Sequence, residues 1–192
     1  MKEAELIDRN LVLELLFKSF KENLSVNYII RQDNKRLERI RALMGYSIDV
    51  CTLFGKVWLS DNKQACALVL YPHVKKTTLR SVWLNLNLIF RSIGIGGISK
   101  AIKRESLIKG KQLKENMAYL WFIGVDPEHQ HSGVGSKLLE EVIADAENKN
   151  LPVFLETSTL QNLPWYDRFA FHIYDELLLT YTLYFLKRDL SK

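Results

Sequence analysis

Residues 130–135 read Gln-His-Ser-Gly-Val-Gly, and two glycines one residue apart in a short polar loop are a means of holding an anion. With no Cβ at Gly133 or Gly135, backbone N–H groups are free to turn toward a bound group. An apolar run of strand length precedes the loop and is stopped by Asp126-Pro127, and an amphipathic helix follows at once. That helix adds its unpaired N-terminal amides and the positive end of its dipole. The combination is a cradle for a pyrophosphate. The spacing narrows the choice. A dinucleotide-binding turn needs a third glycine, but Gly135 is followed by Ser136, Lys137 and Leu138; the Gly-x-x-x-x-Gly-Lys-Ser/Thr loop of nucleoside triphosphate sites is absent as well.

The elements that must position these residues follow from periodicity. Apolar residues Leu11, Val12, Leu15, Leu16 and Phe20 recur at helical spacing over 8–20, with Asp8 or Asn10 as cap, and a second helical stretch covers 34–46. Two short apolar runs, 50–59 and 65–70, flank Ser60-Asp61-Asn62-Lys63 and read as a hairpin. Residues 80–90 fit helix or strand; Gly94, Gly96 and Gly97 interrupt, and a basic helical stretch runs to about residue 109. A strand over 117–125, a helix over 133–148 and a strand over 152–157 form a unit whose two strands must run parallel. A short helix opens at Asn162, and residues 171–186 read as a final pair of strands. No linker or repeat divides the 192 residues, so one domain is expected.

Placed between that strand and that helix, Gln130-x-x-Gly133-x-Gly135 closely resembles the acetyl-CoA signature of the GNAT acetyltransferase superfamily. Downstream, Asn162, Tyr166 and Ala170-Phe171 resemble the family's Asn, its helix-borne Tyr and its Gly-Phe, with Ala170 standing where glycine is usual. The resemblance is specific over about 117–171. It implies an α/β fold with a mixed, mostly antiparallel sheet of six or seven strands, splayed at a parallel pair and flanked by helices. It also implies transfer of an acetyl group from acetyl-CoA, as co-substrate and without a metal, to a primary amine by direct attack in a ternary complex. The cradle would comprise Gln130, His131, Ser132, Gly133, Val134, Gly135 and Ser136. Ile123, Gly124 and Val125 would pair with the pantetheine arm, the Val125 N–H also facing the thioester oxygen. Asn162 would bond the arm or cap the short helix.

Tyr166 would serve as general acid toward the leaving thiolate, or only as a core aromatic. Glu156, on the second parallel strand, would take the amine proton or simply meet a neighbouring cation; His73 and a water chain are the other bases. Lys137 would reach an outer phosphate or lie solvated, and His129 and His131 would face cofactor or solvent. Residues 72–112 exceed a minimal member and read as a cover over the acceptor site. An acyl-CoA sensor without turnover is the alternative function.

Composition sets the limits. Lys and Arg number 27 against 22 Asp and Glu, a net charge of +5. The run Lys100, Lys103, Arg104, Lys109, Lys111 and Lys114 reads as a solvated helix face or as an attractor of the CoA 3′-phosphate or an acidic acceptor. It lacks the interleaved aromatics of a nucleic-acid surface, so no nucleic-acid partner is expected. No apolar stretch approaches the ~20 residues of a membrane span, so no membrane partner is expected either. Two cysteines, Cys51 and Cys66, both in stretches read as strand, suit reduced core positions, and no His/Cys spacing suggests zinc. A cytoplasmic protein is the expectation, with a small-molecule or peptide amine as acceptor and a homodimer among the assemblies left open.

Overall fold

The computed structural model describes residues 1–190 and, of Ile95, only the backbone. Among the described residues, seven strands form one sheet: β1 (Lys2–Glu3), β2 (Gly55–Leu59), β3 (Ala65–Leu70), β4 (Ala118–Val125), β5 (Val153–Thr157), β6 (His172–Leu178) and β7 (Thr182–Arg188). Their spatial order is β1-β2-β3-β4-β5-β7-β6. Every neighbouring pair is antiparallel except β4–β5, which is parallel, as the strand–helix–strand unit requires.

Helices cover both faces of the sheet. On one lie α1 (Arg9–Phe20), α3 (Arg36–Phe54) and α4 (Leu79–Leu88), which bury Leu16, Ile40, Met44 and Leu84 against Leu59, Leu68 and Phe122. The short α2 (Leu24–Ile29) and α5 (Ile98–Lys111) close the same face over β5–β7–β6, with Tyr28 and Ile108 packed on Tyr181, Leu183 and Phe185. On the other face, α6 (Val134–Asn148) turns Leu138, Leu139, Val142, Ile143 and Ala146 onto Ala67, Val69, Leu120 and Leu155, joined by α7 (Leu163–Asp167). The apolar stripe read from spacing in α6 is the stripe that is buried.

Two readings need correction. Residues 50–54 are the last turns of α3, not strand, so Cys51 lies in a helix while Cys66 lies in β3; both are buried and free. The apolar series Ile40, Leu43, Met44, Ile48 and Cys51 keeps helical spacing past residue 46, and nothing stops it before Gly55. At Gly55 the chain passes so close to β3 that a Cβ would run into the Val69 carbonyl. Asp8 occupies the start of α1, yet its carboxylate is drawn off to Lys2 (3.0 Å), Lys63 (3.4 Å) and the Glu5 N–H (3.3 Å), a bond that caps the preceding turn and not α1. Ahead of α1 the chain adds β1 to the sheet edge, an element that the spacing does not predict. Residues 80–90, left open between helix and strand, are helical: Thr78 and Ser81 form a reciprocal cap at the start of α4.

Ala170, where the resemblance called for glycine, has φ of +60°, so the backbone keeps the glycine conformation without the glycine. A left-handed turn costs an ordinary residue about 1–2 kcal/mol, partly offset by the greater freedom glycine has when unfolded. Ala170→Gly is expected to raise the melting temperature by about 2 °C, read by thermal denaturation, and to leave acyl-donor binding unchanged.

Candidate active site

The sheet comes apart at its centre. β4 and β5 pair at two positions only, Ala118 with Val153 and Tyr119 with Phe154. Beyond them no ladder joins 120–125 to 155–157, while β4 stays paired with β3 as far as Val125 and β5 with β7 as far as Thr157. The register against β3 slips at Leu68/Val69, where Phe122 and Leu120 are the partners and Trp121 is the extra residue. Such a bulge bends and twists its strand. It also reverses which residues face which layer: Leu120 packs toward α6, whereas Phe122 packs toward α1 and α3.

The end of β4 is fixed from the α1 side. The Ser19 hydroxyl lies 3.0 Å from the Val125 carbonyl, Lys18 pairs with Asp126 at 2.9 Å, and Gly124 leaves room for Ser19. The loop then turns through His131 (φ +61°) and Gly133 (φ +83°) into α6. The first bond inside that helix runs from Lys137 N–H to the Gly133 carbonyl (3.0 Å), so the amides of Val134, Gly135 and Ser136 are left for a ligand. A Cβ on Gly135 would stand 2.9 Å from Val125 Cγ2. Trp165 of α7 donates its indole N–H to Ser136 Oγ (3.0 Å) and ties α7 to the first turn of α6. Gln130, His131 and Ser132 are exposed along the loop, and Ile123 and Val125 are half-buried.

Tyr166 is buried between Trp165 and Phe171 on the α6 side, and its hydroxyl has no hydrogen-bond partner among the described residues. Burial pushes its pKa up, so the phenol keeps its proton. Asn162 starts α7 but makes no cap bond with its side chain. Glu156 faces the opposite side of the sheet. Its carboxylate accepts from Tyr119 Oη (2.9 Å) and Gln112 Nε2 (2.8 Å), and burial holds its pKa above the usual carboxylate value despite those donors. Among the described residues no cation pairs with it directly; the nearby Arg104 is turned to Tyr181 (3.2 Å) and Ser25 (2.6 Å).

The opening thus has Glu156 on one face and Tyr166 on the other. Tyr119 and Gln112 were missed from sequence, since one reads as strand core and the other as a helix end; only the fold brings them to Glu156. His73 sits in an exposed turn beside Tyr71, whose hydroxyl reaches Asp145 in the latter half of α6 (3.3 Å), so it belongs to the paired end of the sheet. Lys137 lies exposed, 3.9 Å from Asp61. A recess of about 560 Å³ opens elsewhere, between α1, α3 and α4, where Arg9 and Arg41 are already paired with Asp49 and Glu14. No group of three or more His, Cys, Asp or Glu is gathered to hold a metal among the described residues.

Residues 93–171, which span the basic helix, the opening and the cradle, match the family model described as the acetyltransferase (GNAT) family. Over that stretch the chain is similar to the GNAT acetyltransferases. Over 70 residues it is 33% identical to an uncharacterized N-acetyltransferase of Schizosaccharomyces pombe, a match covering 36% of this chain and 28% of that relative's length. The chain therefore spans well under half of that relative. Its fold is similar to that of a histone acetyltransferase HPA2-related acetyltransferase from Corynebacterium glutamicum, with a TM-score of 0.71, 16% identity and coverage of 100% and 96%. It is also similar to that of arylalkylamine N-acetyltransferase 2 from Aedes aegypti, with a TM-score of 0.68, 15% identity and coverage of 99% and 98%. The fold shared with these structures extends over the whole seven-stranded sheet described above.

The two glycines of the cradle differ in what they need. Gly133 has open space around it but a backbone angle that valine resists; Gly135 has room for a Cβ only if Val125 moves aside. Both Gly133→Val and Gly135→Val are expected to abolish coenzyme A binding in a calorimetric titration while circular dichroism stays parent-like. Gly135→Ala is expected to weaken binding through displaced Val125, and Gly133→Ala mainly to lower stability by about 1 kcal/mol.

Proposed function

We propose that this chain transfers an acetyl group from acetyl-CoA to the primary amine of a small molecule or peptide, by direct attack in a ternary complex. The observation that carries the reading is the parted β4–β5 pair, with a cradle of free amides at its mouth, Glu156 on one face and Tyr166 on the other. The residues fit the group. Val134, Gly135 and Ser136 amides would take the pyrophosphate, Ile123, Gly124 and Val125 the pantetheine amides, and Asn162, free of a capping duty, the arm as it bends. Gln130, His131 and Ser132 line the loop at the phosphate end. Acetyl-CoA supplies a thioester carbon open to attack by a neutral amine.

Glu156 is the base in this scheme. An ammonium with a pKa near ~10 must lose a proton before its nitrogen can attack. A carboxylate desolvated under α5 and held by Tyr119 and Gln112 is a stronger acceptor than one in water. The Val125 N–H donates to the carbonyl oxygen as negative charge gathers there. As the new C–N bond forms and the C–S bond breaks, Tyr166 passes its proton to the departing sulfur. Its unpartnered hydroxyl and raised pKa suit a group that must still hold that proton at neutral pH. Enzymes that work at a basic amine need both events, and here they are assigned to opposite sides of one sheet.

The pH dependence follows from the direction of the Glu156 shift. Its carboxyl is protonated, and useless as a base, until the pH exceeds a value above that of a free glutamate, so the rate is expected to rise through that point. Glu156→Gln should remove this rise and lower kcat by about 10²–10⁴-fold, with coenzyme affinity little changed. A pH–rate profile identical to the parent's would eliminate Glu156 as base.

For Tyr166→Phe, ring packing is kept and only the transferable proton is lost. The expected result is a fall in kcat of about 10²–10⁴-fold, partly restored when the donor carries a less basic thiol. The acceptor for both measurements is to be found by mass-spectrometric screening of polyamines, amino acids, aminoglycosides and peptide N-termini. Parent-like turnover by Tyr166→Phe would reduce Tyr166 to a packing residue.

A further inference from the structure

The positive charge of this chain is concentrated in one segment. Residues 72–114 hold ten Lys and Arg against a single acid, Glu105, a net of +9; with 27 against 22 overall, the remainder holds 17 against 21, a net of −4. The same segment carries α4, whose outer face is apolar and unpartnered. Leu79, Val82, Trp83, Leu86 and Phe90 fall at helical spacing and are all exposed, Leu79 by 93%, Trp83 by 61% and Phe90 by 66%. The inner face is spent on the fold, through buried Ser81 and Leu84 and an Asn85–Tyr46 hydrogen bond of 2.8 Å to α3. Cations bracket the stripe: Lys75, Lys76 and Arg80 at its start and Arg91 at its end, all exposed.

An exposed stripe of this kind invites an apolar partner, and its flanks invite an anionic one. We propose that α4 and the turn leading into it form a docking surface for an anionic lipid bilayer, with the helix lying in the plane of the interface. The apolar stripe would enter the acyl boundary by about 5–10 Å while the lysines and arginines stay among the headgroups. A nucleic acid would engage the cations and the two aromatic rings but would gain nothing from Leu79, Val82 and Leu86. A second copy meeting this one face to face would set two segments of net +9 against each other. No membrane partner is expected from the sequence because no stretch has the length of a span, and among the described residues no helix is long and apolar enough to cross a membrane. An interfacial helix requires neither.

The test uses the full chain and vesicles of two compositions, phosphatidylcholine alone and two parts phosphatidylcholine to one part phosphatidylglycerol. Sedimentation is expected with the mixed vesicles at least about a hundredfold more tightly than with phosphatidylcholine alone, and to weaken as salt rises. Lipid with brominated acyl chains should quench tryptophan emission in the parent and not in Trp83→Phe. Two triple variants separate the contributions: Leu79→Ser with Leu86→Ser and Phe90→Ser, and Lys75→Glu with Lys76→Glu and Arg80→Glu. Each is expected to lower binding by about a hundredfold with circular dichroism unchanged; should one set disturb the fold, the other decides. Equal binding to both vesicles, or serine variants that bind like the parent, would overturn the proposal. So would tighter binding to single-stranded polyuridylate or to an acidic protein than to the mixed vesicles, or a dimer in solution that Leu86→Ser dissociates.

Discussion

The rest of the structure depends on how little β4 and β5 pair. A parallel pair buried at the centre of a sheet ordinarily extends its ladder for the length of the shorter strand, because an unmet backbone amide in an apolar interior costs about 1–3 kcal/mol. Here the ladder ends after two positions, and the strands are held apart by their other neighbours. The extra residue at Trp121 re-aims the side chains of β4, which stays paired with β3 while β5 stays paired with β7. Ser19 and Lys18 of α1 hold the far end of β4 in place. The gap is thus specified by the pairings and contacts on both sides rather than by any residue within it.

That gap explains the placement of the titratable groups. Alternation along β5 sends Leu155 into the α6 layer and Glu156 to the opposite face, where α5 closes over it. A carboxylate in such a place would be costly if bare, and the Tyr119 and Gln112 donors offset part of the desolvation. Tyr166 has the reverse circumstances, packed between the Trp165 and Phe171 rings with no partner for its hydroxyl among the described residues. One group is biased toward accepting a proton and the other toward keeping one, a division of environments of the sort acid–base catalysis uses.

Much of this was legible in the chain. Glycine spacing after a strand-stopping Asp-Pro located the turn into α6, and the helical spacing of Leu138 to Ala146 fixed its buried face, because those signals are local. The parallel pair followed from the length of the intervening helix. What escaped had non-local causes. The last turns of α3 look strand-like because Val50, Cys51, Leu53 and Phe54 are apolar in either period, and only the close passage of Gly55 over Val69 marks the boundary. β1 is two residues long and exists because β2 offers an edge. The Tyr119–Glu156–Gln112 cluster joins residues 37 and 44 positions apart, and no local pattern encodes it. Residues 72–112 were read as a cover; their helices do lie over the sheet, but the apolar outer face of α4 appears only when its inner face is known to be satisfied.

The claim that the parted strands are where the acyl donor binds can be tested without knowing the acceptor. Hydrogen exchange of the backbone amides, with and without acetyl-CoA, reads both walls of the gap and the start of α6 in one experiment. The account predicts new protection at residues 122–126 and 133–137, with the recess between α1, α3 and α4 unaffected. Protection confined to that recess, or none along β4 at a concentration that saturates binding, would contradict it.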